Sequence, residues 1–135
     1  MRARFAALAG LAYLCVAPAA AQTQPASTVA TVESAATTNA TSTKAAPGTL
    51  YGFSLCNNTA SAKFFKFYNK ATAPTVGTDA VFFKVQIAAN GCRDHTFPRG
   101  AFFPNGIAFA ITGAEANSDT TAVAAGDVAG AFDYK

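Results

Sequence analysis

Apolar and polar side chains alternate most clearly in the stretch 80–92. Apolar residues fall there at every second position, namely Val81, Phe83, Val85 and Ile87. That period places them on one face of an extended chain and predicts a half-buried β-strand. Asn90-Gly91 follows, and this pair is typical of tight β-hairpins because both residues tolerate positive φ. The stretch therefore predicts a core strand, a hairpin turn and a return strand that Cys92 opens.

Further segments show short apolar runs or the same two-residue period: 50–56, 63–68, 93–97, 107–111 and 127–134. In 107–111 the second face carries only Ala108 and Ala110, so we expect another element to pack closely over a central strand. Turn signals occur at 98–100 and 104–106. No segment has the 3.6-residue apolar period of a helix, which disfavours the alternative of a single sheet with a helix across it. About six strands predict an all-β fold, a small antiparallel β-sandwich or a jelly-roll-like barrel.

The beginning of the chain has the layout of a secretory signal peptide. Arg2 and Arg4 give a basic start, an apolar run covers 5–17, and small residues precede an Ala-x-Ala cleavage site that ends at Ala21. We expect residues 1–21 to be removed on export to the periplasm or to the outside of the cell. The run is shorter than the about 20 apolar residues that cross a bilayer, so we expect no membrane span.

Removal of this leader changes the cysteine count and the charge. Lipidation at Cys15 is the alternative, and it is disfavoured because a leucine, not a small residue, precedes that cysteine. Cys56 and Cys92 then remain, and in an exported chain they can form one disulfide. The formal net charge falls from +3 to +1 because two arginines leave with the leader. So small a charge predicts no nucleic-acid partner.

The composition shifts abruptly to Ala, Thr and Ser over residues 22–48. Val29 and Val32 are the only branched aliphatic residues in this segment. Such a segment buries too little apolar surface to offset its ordering entropy, so we predict a disordered linker. Its role would be that of a spacer or of a glycosylated Ser/Thr stalk. The β-sandwich is then predicted to occupy residues 49–135 as a single domain.

The sequence offers no convincing catalytic residue, metal site or cofactor motif. His95 is the only histidine, and its neighbour Asp94 would point to the opposite face of a strand, where it cannot orient the imidazole. We therefore expect a solvent-facing histidine and no enzyme. One histidine and two paired cysteines cannot make a zinc site, and no glycine-rich phosphate loop is present. A weaker alternative is calcium bound by one acidic loop, with oxygen ligands from Glu115, Asn117, Asp119 and Asp127.

Aromatic and basic residues combine on one face of the predicted strand 63–68, where Phe64, Lys66 and Tyr68 share a side. We regard these three as a candidate binding surface. The combination is similar to platforms for single-stranded nucleic acid, but a near-neutral charge and export disfavour that partner. Outward lysines also protect strand edges from pairing, which is the simpler interpretation. Stacking of sugar rings on Phe64 and Tyr68 is the remaining alternative.

Three segments resemble parts of one family of small β domains. They are 66–79 (KFYNKATAPTVGTD), 106–113 (GIAFAITG) and 119–128 (DTTAVAAGDV). In this order they are similar to segments of phage, prophage and bacterial hypothetical proteins, and the likeness covers most of 49–135. The resemblance implies a compact β module in virion-associated or surface settings, with no catalytic residues. The predicted leader and stalk favour an exported, cell-encoded protein over a virion component.

These features predict a secreted, non-catalytic structural or surface-binding module, whose partner is an unidentified protein or glycan surface. The first alternative is a lectin-like carbohydrate-binding module that uses exposed aromatic residues. A small hydrolase that uses His95 ranks third.

Overall fold

The computed structural model describes residues 26–135, so the predicted signal peptide, residues 1–21, lies outside the described residues. The described part is all-β, as the sequence predicts, with eight strands instead of about six. The strands are β1 (Thr28–Glu33), β2 (Thr41–Lys44), β3 (Gly48–Asn57), β4 (Lys63–Asn69), β5 (Phe83–Ile87), β6 (Gly91–Phe103), β7 (Ile107–Thr112) and β8 (Val128–Tyr134). Within 26–135 no helix is long and apolar enough to cross a membrane.

The strands form two four-stranded antiparallel sheets. Sheet A has the order β1-β8-β3-β6, and sheet B has the order β2-β7-β4-β5. Only β4 and β5 are both consecutive along the described chain and paired with each other; every other connection crosses to the opposite sheet. Eight strands connected in this way make a jelly roll, which is a sandwich of two Greek keys. The prediction of a small antiparallel β-sandwich or jelly-roll-like barrel is confirmed, and the sheets form an open sandwich.

Aromatic side chains from both sheets fill the space between them. Phe65 of β4 stacks on Phe109 of β7, with ring centroids 4.8 Å apart. Phe132 of sheet A meets Phe67 of sheet B edge-on at 5.5 Å. Both arrangements suit the quadrupole of aromatic rings. Because burial of one such side chain is worth about 1.5–3 kcal/mol, this cluster contributes a large part of the stability of the fold.

β7 is an interior strand, as its face of small residues predicts. It lies between β2 and β4, and Ala108 and Ala110 are fully buried on the outer side of sheet B. Tyr68, Val76 and Val81 pack against them as a second apolar cluster. The expectation of close packing over β7 is confirmed, and this part of the outer side of sheet B is covered.

β5 carries the alternation from which a core strand is predicted. The strand begins at Phe83, and the alternation of buried and exposed positions continues to Ile87. Val81, which the pattern assigns to the same face, lies before the strand and joins the cluster on the outer side of sheet B. The predicted core strand is therefore confirmed, but it begins at Phe83 and not at Val81.

The Asn90-Gly91 turn is present but forms no hairpin, so that prediction is wrong. The N–H of Gly91 donates to the carbonyl of Ala88 at 3.2 Å, and Asn90 has a φ of 49°. Positive φ at the third residue alone is the pattern of a type II turn, whose twist splays the flanking strands. β6 accordingly pairs with β3 in sheet A, while β5 pairs with β4 in sheet B.

The described part of 22–48 is ordered, and the prediction of a disordered linker is wrong there. β1 pairs with β8 along its six residues, and β2 pairs with β7. Val32 reaches the core, and the hydroxyl of Ser34 donates to the Ala124 carbonyl and accepts from the Val128 N–H. Edge strands attach largely through backbone hydrogen bonds and need few apolar side chains, which is why composition did not reveal them. The folded domain begins within this segment, not after it.

Candidate binding cleft

The three side chains predicted as a binding surface on β4 are buried. Phe64, Lys66 and Tyr68 share the outer side of sheet B, as their alternation predicts, but they expose only 8%, 0% and 1% of their surface. The β4–β5 connection packs on Tyr68, and the β7–β8 connection accepts a hydrogen bond from Lys66. The prediction of an exposed surface at these residues is therefore wrong. The lectin-like alternative loses the two aromatic residues on which it depended.

The ammonium group of Lys66 fastens the β7–β8 connection to β4. Its Nζ donates a hydrogen bond of 2.6 Å to the carbonyl oxygen of Ala116. Burial lowers the pKa of Lys66, the carboxylate of Asp119 partly offsets this effect, and the charge of Lys84 adds to it. The group is thus a structural contact inside the fold and is not exposed to a ligand.

The acidic residues considered as calcium ligands already have hydrogen-bond or ion-pair partners. The carboxylate of Asp119 accepts hydrogen bonds from the N–H of Ala114 and from the hydroxyl of Thr121. Burial pushes the pKa of Asp119 up, but the bonds from Thr121 and Ala114 outweigh burial and hold it below its ordinary value. Asp127 pairs with Lys63 at 3.3 Å. In the described part of the chain, no group of three or more His, Cys, Asp or Glu side chains is placed to hold a metal ion.

Cys56 and Cys92 form the predicted disulfide. They lie directly opposite each other on β3 and β6, which are neighbouring strands of sheet A. The bridge joins positions 36 apart in the sequence, and β4 and β5 lie between them. Disulfides persist where the environment is oxidising, so this bridge indicates an extracytoplasmic location.

A cleft opens where the two sheets end in β5 and β6. Each of these strands pairs on one side only, and their other edges flank the opening. The cleft has a volume of about 540 Å³. Small-molecule sites in proteins occupy roughly 300–1,000 Å³, so this space is large enough for one. The side chains that decide what it can bind are Phe53, Phe83, Arg93, His95 and Phe97.

Aromatic rings form the inner wall of the cleft. His95 packs edge-on against Phe97, with ring centroids 4.4 Å apart, and lies 5.8 Å from Phe53. Phe83 of β5 lies 5.8 Å from Phe97 of β6, so the rings of the two edge strands meet across the opening. His95 is exposed, and Phe83 and Phe97 are half-buried. Ring surface is therefore open to a ligand at this end of the core.

Arg93 and His95 lie on the inward side of the edge strand β6. In the register of sheet A they are directly opposite Leu55 and Phe53, both of which belong to the core. Residues opposite each other on adjacent strands share a face, so two polar groups stand at the open end of the core. Among the described residues, no carboxylate lines the cleft and no ion pair includes Arg93.

A third basic residue, Lys84, stands at the rim of the cleft on β5. Its Nζ pairs with the carboxylate of Glu115 at 3.3 Å and donates to the carbonyl of the same residue at 3.1 Å. Its charge is thus partly neutralised by the β7–β8 connection. The guanidinium of Arg93 is the stronger candidate to hold an anion, because it keeps a planar set of donors free.

The sequence alone did not identify this cleft. His95 is exposed, as predicted, but it faces the cleft. Asp94 lies opposite Ser54 on the other side of β6, as the alternation predicts. The signal in the sequence was the alternation of Arg93, His95 and Phe97 along one face. This alternation could not show that the face lines a cleft, because the distance between β5 and β6 depends on the separation of the two sheets.

Comparisons of the chain with protein-family models, with curated proteins and with solved structures find no match. The resemblance of 66–79, 106–113 and 119–128 to phage and bacterial β domains therefore stays a prediction. The β5–β6 cleft of an all-β sandwich is the feature from which a function can be argued.

Proposed function

We propose that the protein is an exported, non-catalytic binding module that works in the periplasm or outside the cell and holds its ligand in the β5–β6 cleft. The signal-peptide pattern of residues 1–21 supports export. The disulfide between Cys56 and Cys92 suits an oxidising compartment. A jelly roll fixed by this bridge would hold the rings of the cleft in constant positions.

The observation that carries the proposal is the aromatic surface left open at one edge of the sandwich. The rings of Phe83 and Phe97, which line the cleft, are half-buried and therefore still expose part of their surface. Apolar surface in contact with water costs about 25 cal/mol per Å², and a ligand that covers these rings recovers that free energy. Concave sites with aromatic walls and a few polar groups are typical of ligand pockets.

The groups in the cleft suit binding better than catalysis. A histidine that acts as a general base needs a partner to orient its ring, and Asp94 lies on the other side of β6. In the described part of the chain, the ring contacts of His95 are with Phe53 and Phe97, and its side chain makes no hydrogen bond with a carboxylate. The imidazole therefore contributes ring surface and a polar edge.

Fluorescence titration with N-phenyl-1-naphthylamine, a neutral aromatic probe, tests this function. We expect saturable binding to the wild-type protein and about tenfold weaker binding to Phe97→Ala, since a loss of about 1.4 kcal/mol corresponds to a factor of ten. Phe102→Ala is the matched control, because Phe102 lies on the same strand, exposes 59% of its surface and does not line the cleft.

Thermal melts of both variants, followed by circular dichroism, establish that each is folded at the temperature of the titration. Absence of saturable probe binding to the wild-type protein would contradict the proposal. An equal loss of affinity in Phe97→Ala and Phe102→Ala would also contradict it, because binding would then not depend on the cleft.

A further inference from the structure

We infer that the β5–β6 cleft takes a small organic anion, namely an aromatic body of two or three rings that carries a carboxylate or sulfonate. This inference rests on the proposed function and names the ligand class for the same site. It follows from the order in which β6 presents its inward side chains: Arg93, then His95, then Phe97.

The aromatic half of the ligand is specified by the inner wall of the cleft. The rings of Phe53, His95 and Phe97 lie within 4.4 to 6.2 Å of one another, and Phe83 closes the wall from β5. Flat aromatic molecules bind well against such walls, because offset-stacked and edge-to-face contacts are both accessible.

The anionic half is specified by Arg93. Its side chain is exposed at the mouth of the cleft, and within 26–135 no carboxylate neutralises it. A guanidinium binds carboxylates and sulfonates through two parallel hydrogen bonds, which a neutral ligand cannot accept as strongly. The charge of the cleft is therefore complementary to an acid and not to an amine.

The spacing along β6 sets the size of the ligand. Side chains on one face of a strand recur at about 7 Å, so Arg93 lies about 7 Å from His95 and about 13 Å from Phe97 along the strand. A body of two or three rings that carries an acid group has a length of this order.

Protection of the edge strand β6 from pairing with another chain is the competing explanation for the inward position of Arg93. Charged residues that point inward on an edge strand hinder its pairing with another chain. β6 already carries Pro98, and β5 carries Lys84, both of which serve that purpose. Arg93 is therefore not needed for protection alone, and the two explanations differ in what its replacement does.

The test compares two probes that share one aromatic body. 8-Anilinonaphthalene-1-sulfonate differs from N-phenyl-1-naphthylamine only by its sulfonate. We expect the wild-type protein to bind the sulfonate at least about tenfold more tightly, in line with a hydrogen bond to a charged group. Arg93→Gln should abolish this preference by weakening the binding of the sulfonate about tenfold. Arg99→Gln, a change of the same kind on the same strand outside the cleft, should keep it.

Each outcome has a separate meaning. Equal affinity of the wild-type protein for both probes would overturn the inference and leave the proposed function standing, whereas binding of neither probe would overturn both. A preference for the sulfonate that survives in Arg93→Gln would also overturn the inference. Gel filtration of this variant completes the test: oligomers with an unchanged probe preference would show that Arg93 protects the edge and does not bind a ligand. Near-ultraviolet circular dichroism, recorded in the same samples, establishes that the sulfonate probe reports on a folded protein.

Discussion

Replacement of Tyr68 by phenylalanine should make the protein more stable. Tyr68 exposes 1% of its surface, and its ring packs on Ala108 and Ala110 beneath Val76 and Val81. Its hydroxyl has no hydrogen-bond partner within the described residues. A buried polar group without a partner costs about 1–3 kcal/mol, because its bonds to water are lost on folding and none replaces them. Tyr68→Phe removes this cost and keeps the ring.

We expect a gain of at least about 1 kcal/mol in the free energy of unfolding, measured by urea denaturation. For a domain of this size that gain corresponds to a rise of about 4 °C in Tm. Tyr51→Phe is the matched control, since Tyr51 is half-exposed on β3 and its hydroxyl remains in contact with water. Surface changes of this kind stay within about 0.5 kcal/mol.

The pH dependence gives a second readout of the same group. Burial raises the pKa of Tyr68 above its ordinary value of 10.0, and the negative charge of Asp79 raises it further. Above pH 10 the unfolded chain releases the phenolic proton while the folded protein retains it, so the wild-type protein loses stability as the pH rises toward the folded pKa. The advantage of Tyr68→Phe should therefore grow above pH 10. A variant less stable than the wild-type protein by 1 kcal/mol or more would refute this reasoning, because the hydroxyl would then have a partner such as a buried water.

Three further changes test the described fold by urea denaturation. Replacement of Cys56 and Cys92 by alanine should cost about 4 kcal/mol, the chain entropy released by opening the loop; a loss below about 1 kcal/mol would contradict that estimate. Gly130→Ala should cost about 3 kcal/mol, because φ is 152° and a Cβ would lie 2.1 Å from a carbonyl oxygen of β3. The control Gly126→Ala, at φ 75° with nothing within 4 Å of the added Cβ, should cost about 1 kcal/mol. Equal costs would be evidence against the close approach of β8 to β3. Ser34→Ala should cost about 2 kcal/mol by leaving a buried N–H and a carbonyl unpaired; an unchanged stability would mean that the segment after β1 is dispensable.

The sequence predicted those parts of the fold that depend on side-chain alternation. The alternation of Phe83, Val85 and Ile87 marks β5, and the small face at Ala108 and Ala110 marks an interior strand. Both patterns report directly on which side of a strand is buried. The prediction of the disulfide was equally direct, since an exported chain with two cysteines allows one intramolecular bridge.

The missed elements depend on the backbone, which leaves little trace in composition. β1 and β2 are attached to β8 and β7 by main-chain hydrogen bonds, and Val32 is the one branched aliphatic side chain that the segment buries in the core. The burial of Lys66 likewise involves a backbone carbonyl, that of Ala116, which accepts a hydrogen bond from its ammonium group. The cleft was missed because its walls come from two sheets, and no local pattern records their separation.

We propose that the open edge between β5 and β6 is the binding site of this protein. The most direct test is a titration of the ¹⁵N-labelled protein with 8-anilinonaphthalene-1-sulfonate, followed by the chemical shifts of the backbone amides. We predict that the largest changes fall in 83–88 and 93–97, the segments that line the cleft. Changes centred on the outer side of sheet A, around Ser54 and Ala131, would contradict the claim, since the ligand would then occupy the shallow groove on that face.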